Sequence, residues 1–437
     1  MKKSVFHNSI LTLTRQLLSI GFGILATMVI ARVLGKEGQG QYTLIILLPT
    51  LLYTLLNSGF SSSTVYFIGK KKYTDQEVYS TNLLSSIILS VVSIGLGLVL
   101  VLYFKDYFFE GVSSKLLLYT LLILPLLFIQ KNLPTIFLGK EEFEKFNIIA
   151  ILNQVGLLIF SLIFVWHLEL GILGAVLSFG FSQLLMLTVS FYFLRQSYGL
   201  LIPKKYSLSY LKDSFVYGIK GHFSNVLTFI NYRIDIFLIA FFLNDVAVGV
   251  YSIAVLLVER IWLISQSVAT VLFARVVNLD QEADKNKFTS IVARNTLFIT
   301  TIAGVFLALF SHWIITLLFG VQYEESVLPF LYMIPGVVLF SMSKVLANDF
   351  SGRGYPEINT YIAFVVASVN FGLNMYLIPL YGIKGAAIAT SASYIVDVLL
   401  KSFYFSIKNK ISFKEFYIFN SSDIQLYKKQ LSKFIKK

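Results

Sequence analysis

The 437-residue chain contains no cysteine, which excludes a disulfide framework, a thiol nucleophile and a thiolate metal site. Only four histidines occur (His7, His167, His222 and His312), with no ligand-like spacing between any two, so no metal site is expected. Charge is scarce: 14% of residues are Asp, Glu, Lys or Arg, against roughly 25% in soluble globular chains. So few charges cannot cover a soluble surface, and disorder or a coiled coil is excluded at the same time. The N-terminus, MKKSVFHNSILTLTRQ, lacks a small-residue cleavage site and reads as the start of a first membrane helix. What is abundant is apolar surface, with 56% hydrophobic and 16% aromatic residues, and that surface has to meet lipid.

A spanning helix needs about 20 mostly apolar residues. Apolar runs between polar breaks give twelve candidates, near 10–33, 41–68, 78–104, 115–138, 146–166, 171–194, 211–242, 246–273, 288–318, 326–349, 358–379 and 384–406. The fold class expected is therefore an all-α integral membrane protein. The net charge of +13 is sorted by these spans rather than spread as a nucleic-acid surface would be, so no nucleic-acid partner is expected. Counting Lys and Arg, 26, Lys131 among them, fall in one set of alternate loops and the termini, 5 in the opposite set and 5 within spans. The positive-inside rule then puts both termini in the cytoplasm, in a multi-pass protein of the cytoplasmic (inner) membrane. Beyond the last span, Ile424, Tyr427, Leu431, Phe434 and Ile435 recur at helical spacing among lysines, which reads as a basic amphipathic tail on anionic headgroups over 408–437.

The two halves echo each other. Ala31-Arg-Val-Leu34 with Gly40-Gln-Tyr42-Thr43 lines up with Ala240-Phe-Phe-Leu243 and Gly249-Val-Tyr251-Ser252. Gly171-Ile-Leu-Gly174-Ala175 lines up with Gly382-Ile-Lys-Gly385-Ala386, and Gly139-Lys140 with Gly352-Arg353. An even number of spans per half gives a parallel repeat, with a pseudo-two-fold axis along the membrane normal. The lobes expected are 1–205 and 206–407, followed by the tail.

The stretch Asn231-Tyr-Arg-Ile-Asp-Ile-Phe-Leu-Ile-Ala, with Gly249-Val-Tyr-Ser-Ile-Ala and Glu259-Arg-Ile-Trp262, resembles the seventh and eighth helices of bacterial polysaccharide flippases. The opening Arg-x-Leu-Gly-x-x-x-x-Gly-x-Tyr region, Arg32 to Tyr42, and the repeated Gly-Ile-x-Gly-Ala are similar to the same family. These flippases belong to the multidrug/oligosaccharidyl-lipid/polysaccharide export superfamily. The resemblance implies two six-helix lobes in a V around a central cavity, alternating between inward-open and outward-open states. It implies translocation of an undecaprenyl-diphosphate-linked oligosaccharide, with membrane lipids and the polysaccharide polymerase machinery as partners and no cofactor.

An ionisable side chain inside a span is a functional candidate by default. Five basic residues qualify, Arg15, Lys220, Arg233, Arg260 and Lys344, and four acidic ones, Asp235, Glu259, Asp349 and Asp397. Arg15, Lys220 and Lys344 lie toward the inner ends of their spans and Arg260 near mid-span, a pick-up path for a diphosphate whose lost hydration the cations replace. Asn225 and Asn231 suit sugar hydroxyls, and equally suit helix–helix hydrogen bonds. Lys344 is expected to pair with Asp397 or Asp349. Arg233 and Asp235, two residues apart, face different ways and each needs its own partner, Arg233 in a structural ion pair. Asp235 and Glu259 are the candidates for a coupling site taking H+ or Na+. On this count the first half carries one intramembrane charge, Arg15, and supplies mainly uncharged polar groups such as Gln16, Asn153, Gln154 and Gln183.

Two rival functions compete. A membrane-embedded polymerase or transferase needs a catalytic constellation, and His167, Glu169, Glu324 and Glu325 do not combine into one. A cation-coupled multidrug exporter needs a compact acidic site, and here each deep acid, Asp235 and Glu259, lies beside an arginine.

Overall fold

The computed structural model describes residues 5–200, 202–277, 279–418 and Asp423. Among the described residues the regular structure is helical, and eleven helices are long and apolar enough to cross a bilayer. The first of them, Thr14–Leu56, has 43 residues, about twice the length a hydrocarbon core of about 30 Å requires. It is broken at Gly35, whose φ of 69° and ψ of −175° lie in a region that essentially only glycine enters. The break makes two spans, α1 (5–34) and α2 (36–56), so the count is twelve.

The others are α3 (Asp75–Tyr103), α4 (Ser114–Gly139), α5 (Phe143–His167), α6 (Gly171–Tyr198), α7 (Leu208–Phe242), α8 (245–277), α9 (Glu282–Phe319), α10 (Val321–Gly352), α11 (Glu357–Tyr381) and α12 (Ile383–Asn409). The second span is shorter than its apolar run. Left-handed backbone at Ser58 (φ 51°) and Gly59 (φ 73°) ends α2 and starts a separate short helix, Phe60–Gly69.

The chain forms two compact units, one of residues 1–229, 236–252 and 318–322, the other of 230–235, 253–317 and 323–437. In the first, Phe67, Tyr79, Phe137, Ile149 and Tyr210 form a buried cluster. In the second, Leu272, Met342, Phe350, Ile362 and Phe405 do the same.

Each unit contains the same anchoring arrangement, which gives the sequence repeat a physical cause. In the first, Lys140 at the end of α4 pairs with Asp75 at the start of α3 at 2.6 Å, its ammonium 5.5 Å from the ring centre of Tyr198. In the second, Arg353 at the end of α10 pairs with Glu282 at the start of α9 at 2.6 Å, 5.0 Å from the ring centre of Phe405. The repeated Gly-Ile-x-Gly-Ala has a shared geometry as well. Gly171 and Gly382 have φ of 59° and 60° where α6 and α12 begin. A Cβ on Gly174 would lie 2.6 Å from the Phe164 carbonyl oxygen, and one on Gly385 2.1 Å from that of Leu377, so both helices turn tightly against the one before.

The basic tail expected over 408–437 lies largely outside the described residues, with Ile424, Tyr427, Leu431, Phe434 and Ile435 all among those not described. Its described part packs on the helices rather than standing clear of them. Phe416 is fully buried with its ring 5.2 Å from that of Phe405, and Tyr417 donates a 3.0 Å hydrogen bond to the Ser402 hydroxyl. Arg294 on α9 holds the buried carboxylate of Asp423 through Nε at 2.6 Å.

Candidate functional site

The densest cluster of intramembrane polar groups lies in the second unit, around α7, α8 and α10. One turn of α7 carries Tyr232, Arg233 and Asp235, and the helix period sends them in different directions. On α8 a tighter turn over Glu259–Ile261 interrupts the regular helix and precedes Trp262. Arg233 grips Glu259 in a two-pronged bond, with its two terminal nitrogens 2.8 and 3.3 Å from the two carboxylate oxygens. Asp235 is buried and accepts a 3.2 Å hydrogen bond from the Thr390 hydroxyl of α12.

Lys344 on α10 has a different environment from the one expected. Its ammonium lies 4.1 Å from the ring centre of Trp262 and 5.6 Å from those of Tyr232 and Phe340. The cage is braced: Tyr394 stacks on Phe340 at 4.6 Å, and the Trp262 indole donates to the Val337 carbonyl at 3.3 Å. Contacts of this kind contribute roughly 0.5–2 kcal/mol each, depending on desolvation.

Neither acid expected to pair with Lys344 does so. Asp397 is bonded to Lys401 at 2.8 Å and to the Ser343 hydroxyl. Asp349 is bonded to Arg353 at 2.7 Å and to Thr289 at 2.6 Å. In both cases the winning base stands four residues along the acid's own helix or directly after it, where neighbouring faces bring charges together with no inter-helix reach. Among the described residues the Lys344 ammonium has no ion pair or hydrogen bond, and the side chain is half-exposed.

The remaining candidates are dispersed. Arg260 is half-exposed on α8, and its Nε has no hydrogen-bond partner. Arg15 is half-exposed on α1 and its Nε is likewise unpartnered. Lys220 lies on α7, with its side chain outside what the structure describes. Asn225 is exposed on the same helix. Asn231 is buried and engaged by α11: Asn370 donates to its carbonyl at 2.8 Å and its side-chain oxygen at 3.0 Å, and Asn374 donates to the Asn370 side-chain oxygen at 2.6 Å. Asn231 is thus buried in an inter-helix hydrogen-bond ladder, the structural alternative to sugar recognition.

Two features escaped sequence reasoning. The aromatic cage needs three helices to converge and leaves no local signal. Lys131 was counted with the loop charges, yet it lies within α4, exposed and with no ion pair among the described residues. Its position inside the 115–138 apolar run was the available clue, and the first half therefore carries a second intramembrane cation.

Comparison with known proteins places the chain. It is 24% identical over 209 residues to the probable low-salt glycan biosynthesis flippase Agl15 of Haloferax volcanii, covering 47% of this chain and 43% of that protein. The chain thus aligns with less than half the length of that relative, and with 50% of an uncharacterized membrane protein of Methanocaldococcus jannaschii. It is 22% identical over 392 residues to the capsular polysaccharide biosynthesis protein CapF of Staphylococcus aureus, covering 87% of this chain and 94% of that one. Among solved structures, the lipid II flippase MurJ in an inward closed conformation superposes with a TM-score of 0.74 at 18% identity, covering 93% and 89% of the two chains. An inward-facing multidrug resistance MATE transporter superposes with a TM-score of 0.70 at 14% identity, covering 92% and 98%. These likenesses show the fold: the chain shares the all-helical fold of those two proteins. With the model of the family described as polysaccharide biosynthesis protein matching residues 5–279, the chain belongs to that family.

Proposed function

We propose that the protein is a flippase carrying undecaprenyl-diphosphate-linked oligosaccharide units from the inner to the outer leaflet of the cytoplasmic membrane by alternating access, for surface polysaccharide synthesis. Both termini face the cytoplasm in this reading, as the distribution of Lys and Arg among loops requires.

The observation that carries the reading is the unpaired Lys344. A lysine within a membrane helix costs at least about 2.5–3.5 kcal/mol on insertion scales, and a resident carboxylate is the ordinary remedy. Here the neighbouring acids are committed elsewhere and the ammonium rests on three aromatic rings. A cation kept free in this way suits an anionic group that arrives and leaves, and aromatic faces beside it suit sugar rings. Arg260, Arg15 and Lys220 supply further positive charge for the diphosphate, and Asn225 a polar contact for sugar. Of the two acids considered for coupling to H+ or Na+, Asp235 is the one this reading retains, because Glu259 is held through both oxygens by Arg233. The polymerase machinery consumes the delivered units.

A multidrug exporter fits less well, because Glu259 is neutralised by Arg233 and Asp235 is buried, so neither presents an accessible carboxylate to a bulky organic cation. Mass spectrometry of lipid-linked saccharides in cells with and without the gene tests the assignment. Complete oligosaccharide units on undecaprenyl diphosphate accumulate on the inner leaflet when it is deleted. An unchanged pool, with altered tolerance to cationic drugs, transfers the protein to the exporter branch.

A further inference from the structure

We propose that Lys131 on α4 is a second phosphate-binding position, the repeat equivalent of Lys344 on α10, so that each compact unit carries its own lysine for an anionic headgroup of the lipid carrier. The inference rests on the reading of the protein as a lipid-diphosphate flippase.

The register is the first ground. At an offset of 213, Lys131, Leu133, Phe137, Gly139 and Lys140 meet Lys344, Leu346, Phe350, Gly352 and Arg353. The equivalence is anchored in three dimensions. Lys140 and Arg353 make corresponding ion pairs with the first acids of α3 and α9, and Phe137 and Phe350 are both buried in the core of their unit. From those anchors each lysine lies about 13 Å back along its helix.

The second ground is the surroundings. Tyr53 on α2 packs on Phe128 at 5.0 Å between ring centres, one turn before Lys131. Trp262 on α8 packs on Phe340 at 5.4 Å, one turn before Lys344. Tyr53 and Trp262 are related by an offset of 209, the same offset that relates Tyr42 to Tyr251. An aromatic pair built from the second and fourth spans thus stands one turn before the lysine in each half, and at Lys344 the ammonium rests on its Trp262 ring.

The third ground is charge. The anchoring bases Lys140 and Arg353 are in ion pairs, whereas Lys131 and Lys344 have none among the described residues. The residues on either side of Lys131 are buried polar groups. Asn132 is buried, donating to the Ser86 hydroxyl at 3.1 Å and accepting from that of Ser61 at 2.9 Å. Gln130 is fully buried with neither amide atom partnered. An ammonium in such a setting donates charge-assisted hydrogen bonds to phosphate oxygens, and it gains more from them than it would in water.

The test uses the purified full-length protein and farnesyl diphosphate as probe, with farnesol as the uncharged control, read by calorimetry. The wild type binds the diphosphate and not the alcohol. Lys131→Gln and Lys344→Gln each remove about half of the binding capacity, the double variant abolishes it, and Lys131→Arg stays within about threefold of wild-type affinity. Should Lys131→Gln fail to elute as a folded protein, Lys131→Met is read in its place. Wild-type capacity and affinity in the neutral Lys131 variant, with loss in Lys344→Gln, overturn the second position and leave the proposed function standing. Equal wild-type affinity for farnesyl diphosphate and farnesol overturns the diphosphate reading itself, and the second position with it.

Discussion

Arg233 on α7 takes both carboxylate oxygens of Glu259 on α8, at 2.8 and 3.3 Å, and this pairing is what leaves Lys344 without a counter-ion. Glu259 stands three residues before Trp262, the ring on which the Lys344 ammonium rests, so it is the acid expected to claim that lysine if Arg233 is lost. Removing the arginine releases a carboxylate beside a free cation.

The first prediction follows. Arg233→Ala lowers polysaccharide export at least tenfold because Glu259 turns to Lys344 and cancels its charge. Adding Glu259→Gln restores export to within about threefold of wild type. Surface polysaccharide measured at matched protein levels checks both; an Arg233→Ala defect that the second change leaves untouched would count against this account.

Lys344 itself gives the second. Lys344→Ala reduces export at least tenfold without lowering the amount of protein in the membrane, because no ion pair is broken by its removal. Lys344→Arg retains a large part of activity, since a guanidinium also stacks on Trp262 and binds phosphate. Membrane immunoblots beside the export assay separate loss of function from loss of protein.

A buried pair behaves differently. Asp397 and Lys401 are both nearly buried and bonded at 2.8 Å, so Lys401→Ala strands a carboxylate and costs about 3–5 kcal/mol. Asp397→Asn on top of it recovers much of that loss. Thermal unfolding of the two single variants and the double one measures the coupling, and strictly additive shifts would show that the pair contributes nothing.

Small residues make the fourth. A Cβ on Gly40 would stand 1.8 Å from the Asp245 carbonyl oxygen, and one on Gly249 2.0 Å from that of Lys36, so 36–40 and 245–249 meet backbone to backbone. Gly40→Leu is expected to prevent accumulation of folded protein, while Gly21→Ala, with nothing within 4 Å of the added atom, leaves it unchanged. Fluorescence-detected size exclusion of the two variants decides it.

Much of the fold was legible because bilayer physics writes it in one dimension. Apolar length gives spans, and the repeated Gly-Ile-x-Gly-Ala marks two tight helix entries whose positive φ and close backbone approach demand those glycines. The site was less legible, because partner choice is a three-dimensional competition. The i, i+4 spacing of Asp397 and Lys401 was a local clue, but nothing local says that Asn231 is held by Asn370 until α7 and α11 are packed. Lys131 was hidden for another reason: treating a lysine near a span end as a loop charge overlooked its register with Lys344.

The most direct test of the central claim is translocation in proteoliposomes. The purified protein is reconstituted with a fluorescent undecaprenyl-diphosphate oligosaccharide, and exposure of the sugar at the opposite leaflet is followed by a membrane-impermeant reagent. Transfer that depends on the protein and falls at least tenfold in Lys344→Ala is the predicted result. Transfer no faster than in protein-free vesicles, under conditions where the protein is folded, would contradict the account.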